Sequence, residues 1–146
     1  MEEFNIPELP EKRKKRYMQK MYHGRKRIEL VEEWQEEKVS EYETKSLLAI
    51  EKAAQEAIEV ATDLIAMMLK DTAIPPTDDY TNISRILELG LVNKDIGAIM
   101  KEANGLRNRL IHVYNDIDIE VLMQSINRVL PGISDFLDVV EKWLRT

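Results

Sequence analysis

Residues 47–68 read LLAIEKAAQEAIEVATDLIAMM, and their apolar spacing is helical. Leu47, Ile50, Ala54, Ala57, Ile58, Ala61, Leu64, Ile65 and Met68 recur mainly in steps of three and four. That spacing lays one apolar stripe along an amphipathic α-helix. The alanines within it let a neighbouring helix approach closely. Ser40 and Glu43 have capping-box spacing, in which each side chain satisfies a free backbone N–H of the first turn, so the helix is expected to begin at Ser40.

Outward from this segment the chain continues to read as helix. Pro10 suits a first helical position, where its missing N–H would have no partner anyway. The first helix is therefore expected from about Pro10 to Lys38. Residues 72–79, TAIPPTDD, form a loop, because paired prolines cannot continue a helix. A short helix is expected from Asn82 to Leu89, closed by Gly90. Asn93 is placed to cap the next helix. Gly105 lies inside that helix at a cost of about 0.8–1.0 kcal/mol against alanine, which fits a close backbone approach or a bend. The last helix is expected from Ile119 to Leu144, capped by Asp118 and kinked at Pro131. The expected fold class is all-α: an antiparallel bundle of four long helices plus a short helix, in a single domain over residues 1–146.

A charged fraction of 33% beside 44% hydrophobic residues describes a globular, soluble domain. Cysteine is absent, which excludes disulfides and thiolate metal sites. With two histidines and no close His/Asp/Glu cluster, neither a metal site nor a cofactor is expected. The start, Met-Glu-Glu-Phe, has no apolar h-region, and no apolar run is long enough to span a bilayer. The expected compartment is the cytoplasm.

The net charge of −6 hides an asymmetry. Residues 11–27 hold nine of the 21 Lys/Arg and one of the 27 Asp/Glu. A local basic block on an acidic body can attract a polyanion, and Lys14, Lys15 and Arg16 are the candidate RNA-binding residues. A solvated face of a charged helix explains the same block equally well. His23 lies within it and reads as a surface residue.

The chemistry is concentrated at residues 107–114, RNRLIHVY. A fixed cation, an amide, an imidazole and a phenol fall within two turns of helix. RNA is cleaved without metal when its own 2′-OH attacks the adjacent phosphate. That reaction needs a group that moves protons and a cation that steadies the phosphorane. His112 suits the first task, because an imidazole titrates near neutral pH. Arg107 suits the second, because guanidinium stays charged and grips phosphate through two N–H groups. Asn108 shares a face with His112 and can orient it or donate to phosphate. Tyr114 lies on the stripe of Arg107. Arg107 and His112 point about 140° apart around the helix axis. A symmetric dimer that brings two such helices together would complete one cleft from two chains.

NGLRNRLIHVYNDIDIEVL, residues 104–122, resembles the HEPN superfamily, in particular its HepT-like toxins, and the likeness extends over about residues 45–145. The resemblance implies a helical bundle with its ribonuclease site at a homodimer interface. It implies Arg107, Asn108 and His112 as catalytic residues. It implies a cognate nucleotidyltransferase (MNT) antitoxin that adenylylates the tyrosine of the His-x-Tyr motif, here Tyr114. Asp63 falls where the family commonly has an acidic residue. Together with Glu59, four residues earlier on the same face, it is a candidate to orient Arg107 or His112. Partial burial beside a partner is expected for Asp63. The family often has a histidine near position 67, where this chain has Met67, a packing residue like Met68. The leading expectation is a metal-independent endoribonuclease toxin. The alternatives are a non-catalytic HEPN partner that binds nucleotide or RNA, and a purely structural helical dimer, against which the intact motif argues.

Overall fold

A computed structural model of the chain describes residues 8–36, 44–112 and 118–145, with His112 described by its backbone only. The five helices are α1 (Glu11–Gln35), α2 (Thr44–Asp71), α3 (Asp79–Glu88), α4 (Lys94–His112) and α5 (Ile119–Arg145). Strands are absent among the described residues.

In α1 the buried positions are Tyr17, Met21, Gly24, Ile28 and Val31. Their alternating four- and three-residue steps form a coiled-coil-like seam. Beside that seam three cations spaced seven apart meet carboxylates of α2. Arg13 pairs with Asp71 at 2.8 Å, Lys20 with Asp63 at 3.1 Å, and Arg27 with Glu56. Numbers rise on α1 as they fall on α2, so the two helices are antiparallel. The same reversal relates α4 to α5, where Arg128 meets Glu102 and Gly132 faces Ile99. It also relates α1 to α5, through Arg25–Asp138 at 2.8 Å and the Tyr17 and Trp143 rings at 5.6 Å. The long helices therefore alternate in direction, as expected, and α3 packs against both α2 and α4.

The stripe of α2 fills the centre. All its residues from Ile50 to Met68 are fully buried, and Leu47 packs against the margin of the core. Phe136, Ile83, Met100 and Leu106 bring α5, α3 and α4 into the same core. At Gly132 an added Cβ would stand 2.1 Å from Cγ2 of Ile99, whose β-branched side chain is stiff in a helix. Gly132→Ala should therefore destabilise the fold by about 1–3 kcal/mol. Ile99→Ala in the same chain should recover most of that loss, and thermal melts of both variants check it. Helix α5 continues through Pro131, which lies on the exposed face.

The expected caps of α4 and α5 are present. Asn93 Oδ1 accepts from the Ile96 N–H at 2.8 Å, and Asp118 Oδ1 accepts from the Glu120 N–H at 2.9 Å. Gly90 closes α3 at φ 73, a left-handed conformation that favours glycine. The start of α3 differs from expectation by three residues. Asp78 caps it, accepting from the Thr81 N–H at 2.9 Å and from the Thr81 hydroxyl at 2.8 Å. Asn82 instead folds back on the loop, accepting from the Thr77 N–H at 2.8 Å. Ser40 and Glu43 lie outside the described residues. Among the described residues no helix is long and apolar enough to cross a membrane.

Candidate active site

The early start of α3 decides what surrounds Arg107. It places Asp79 in the first helical turn, against α4. Arg107 Nη2 donates to Asp79 Oδ2 at 2.9 Å and, more weakly, to Asn108 Oδ1 at 3.4 Å. The Arg107 side chain is 19% exposed and that of Asp79 31%. A largely buried guanidinium held by a carboxylate loses its freedom to swing. Arg107 Nε is buried and has no hydrogen-bond partner among the described residues. One edge of the guanidinium is thus anchored while donor capacity remains.

Asp79 escaped the sequence reading because it fell inside the expected loop. No spacing rule links a carboxylate to an arginine 28 residues away. Tyr80 was missed as well. Its hydroxyl lies 3.4 Å from where a Cβ on Gly105 would stand, and the residue is 46% exposed. The glycine thus admits a close neighbour on the stripe that Gly105 shares with Asn108 and His112.

His112 is the last residue of α4. Its side chain and all of Tyr114 lie outside the described residues. Asn108 is half-buried beside Arg107.

Glu59 and Asp63 are not at Arg107. Asp63 accepts from Lys20 at 3.1 Å, and Glu59 accepts from Gln55 at 3.0 Å. Asp63 has the expected partner, and its side chain is 57% exposed. The carboxylate beside Arg107 is Asp79. Met67 and Met68 pack in the core.

The basic block is divided by helix geometry. Arg16 lines a groove between α1 and α2, whereas Lys14 lines one between α1 and α5 beside Met18 and Tyr22. Lys15 is exposed. His23 is exposed too, with Nε2 3.5 Å from Glu56. The hydrogen bond from Arg27 holds the Glu56 carboxyl below the usual range. Burial, then the hydrogen bond to Asp71, pushes the Tyr17 phenol far up, and Tyr17 donates to Asp71 at 2.5 Å. These groups join α1 to α2 and stand apart from Arg107. Among the described residues no group of three His, Cys, Asp or Glu is placed to hold a metal ion.

The family model for HepT-like ribonucleases matches residues 25–140, from late α1 through most of α5 and across the whole 107–114 motif. The chain belongs to the HepT-like ribonuclease family. Two proteins of Archaeoglobus fulgidus, both provisionally named RNases, are similar to it. One is 38% identical over 85 residues, which is 58% of this chain and 64% of the relative. The other is 34% identical over 90 residues, 62% of this chain and 65% of the relative. This chain thus spans just under two thirds of the length of these relatives. Among solved structures, the tri-AMPylated Shewanella oneidensis HEPN toxin in complex with MNT antitoxin superposes with a TM-score of 0.79 at 14% identity. That match covers 86% of this chain and 96% of the toxin. A mutant toxin–antitoxin MntA–HpeT structure gives 0.77 at 14% identity, over 86% and 98%. At that identity the two likenesses establish the fold, and this HepT-like chain shares the HEPN toxin bundle.

Proposed function

We propose that this chain is a metal-independent endoribonuclease toxin, neutralised by a nucleotidyltransferase antitoxin of the MNT type. The observation that carries the reading is Arg107, anchored by Asp79 within the motif that also supplies Asn108 and His112. In this mechanism the 2′-OH attacks the adjacent phosphorus and the bond to the 5′-oxygen breaks. The products are a 2′,3′-cyclic phosphate and a free 5′-OH. His112 moves the proton between the attacking and leaving oxygens. Arg107 donates to the non-bridging oxygens as negative charge grows on the phosphorane. Asn108 orients the imidazole or the phosphate. A second copy of the chain faces its α4 against the first, because Arg107 and His112 diverge around one helix. The working compartment is the cytoplasm, and neither metal nor organic cofactor is required.

The test is incubation of the purified protein with tRNA and mRNA in EDTA, with sedimentation of the same sample at micromolar concentration. The expected result is cleavage that leaves cyclic-phosphate ends, by a dimer. RNA that stays intact in EDTA but is cut when magnesium is added would overturn metal independence. RNA that is bound and never cut would make the chain a non-catalytic HEPN partner. A fully active monomer would show that each chain builds its own site.

A further inference from the structure

We propose that Arg16 and Lys70 form a seat for an RNA backbone phosphate beside the cleavage site. The proposal rests on the ribonuclease reading and adds the path of the strand.

The groove between α1 and α2 ends at the loop that leads into α3. There a space of about 360 Å³ is lined by Arg13, Arg16, Lys20, Asp63, Lys70 and Pro76. Two of its four cations are already committed. Arg13 pairs with Asp71 at 2.8 Å, and Lys20 pairs with Asp63 at 3.1 Å. The Arg16 and Lys70 side chains make no ion pair or hydrogen bond among the described residues. They come from two different helices onto one groove, and the carboxylate that lines this end of it, Asp63, is held by Lys20. Farther along the same crevice, which Arg16 also lines, Lys20 is paired with Asp63, His23 lies against Glu56, and Glu59 adds a further carboxylate. The preference for an anion is therefore confined to the end at Pro76.

That end adjoins the motif. Three residues of chain, at most about 10 Å, separate Pro76 from Asp79. Asp79 in turn holds Arg107 at 2.9 Å. A strand with one phosphate at Arg107 passes Arg16 and Lys70 within a few nucleotides. Two cations converging on an open groove read phosphate and not base, so the seat sets register without sequence preference. The other side of α1 differs. There Lys14 and Arg25 flank Met18, Tyr22 and Leu144, and Arg25 is paired with Asp138 and Glu141.

The experiment uses the full chain carrying His112→Ala, so that bound RNA stays whole. Anisotropy of a labelled single-stranded RNA oligomer is followed against salt, with and without Arg16→Ala and Lys70→Ala together. The double variant should bind roughly tenfold more weakly near 0.1 M salt, and its log–log salt slope should fall by about 0.7, for the one phosphate no longer neutralised. Lys142→Ala, an exposed cation on α5, should change neither. Circular dichroism confirms that each variant folds. An unchanged salt slope in the double variant overturns the proposal. ATP that displaces RNA at matched concentration also overturns it, because the groove would then hold a mononucleotide. Cleavage by the wild-type chain is scored separately. A failed ribonuclease reading therefore appears as loss of cleavage, and a failed seat as unchanged binding.

Discussion

His112→Ala should lower RNA cleavage by about 10²–10⁴-fold, the contribution of a positioned proton-transfer group. Arg107→Ala costs about 10²–10³-fold, as the loss of a donor aimed at charge that develops in the transition state. The two variants differ in binding. Arg107→Ala also weakens the hold on ground-state phosphate, so it raises KM as well as lowering kcat. His112→Ala acts on kcat alone. Asp79→Asn separates positioning from chemistry. It keeps the shape beside Arg107 and removes the carboxylate that accepts from Nη2 at 2.9 Å. Its cleavage falls by less than in Arg107→Ala, through kcat, because the cation remains but is less firmly aimed. His23→Ala serves as the control, since the chain's other imidazole is exposed and sits against Glu56. Single-turnover cleavage of one RNA oligomer by all four variants makes the comparison. Full activity in both His112→Ala and Arg107→Ala would remove the catalytic assignment.

Legibility in the sequence followed the range of the forces involved. The α2 stripe was readable because burial acts on every third or fourth residue of one helix, and each of its positions from Ile50 onward is buried. The caps at Asn93 and Asp118 were readable because a capping side chain meets a backbone N–H two or three residues away. The start of α3 was harder. Asp78 and Asn82 are both good capping residues, and the choice between them was made by tertiary structure: Asn82 is buried and pins Thr77. Once α3 begins at Asp79, that carboxylate turns toward α4. The pairing of Arg107 with Asp79 thus depends on helix packing that no local pattern contains. Asp63 differs again. Its place in the family pattern pointed toward the motif, but its partner in the structure is Lys20. Arg13, Lys20 and Arg27 recur at seven-residue spacing, and each meets a carboxylate of α2. Three of the nine cations of the basic block are thereby neutralised within the fold. In the proposed phosphate seat, the cations offered to RNA are those the zipper does not use, and Lys70 on α2, absent from the sequence-based candidates, is one of them.

AMP on Tyr114 should silence the enzyme without unfolding it. Tyr114 follows α4 by two residues, and one residue separates it from His112. An adduct there carries a phosphodiester charge and a bulky nucleoside to the rim of the proposed cleft. The charge competes with RNA for Arg107, whose Nη2 is already shared with Asp79. The nucleoside excludes the strand sterically. Both effects act on substrate, so the melting temperature should stay near that of the unmodified chain. Transfer forms a bond between the phenolic oxygen and the α-phosphorus of ATP and releases pyrophosphate. Tyr114→Phe keeps the ring and lacks the acceptor oxygen. It should retain most of its cleavage and resist silencing. Mass spectrometry after incubation with the cognate nucleotidyltransferase and ATP, paired with cleavage assays, gives the readout. AMP on wild type but not on Tyr114→Phe, with loss of cleavage only in the former, supports the mechanism. An adduct on Tyr114→Phe protein, or none on wild type, refutes it. Neutralisation would then rest on the antitoxin covering the cleft as a bound protein.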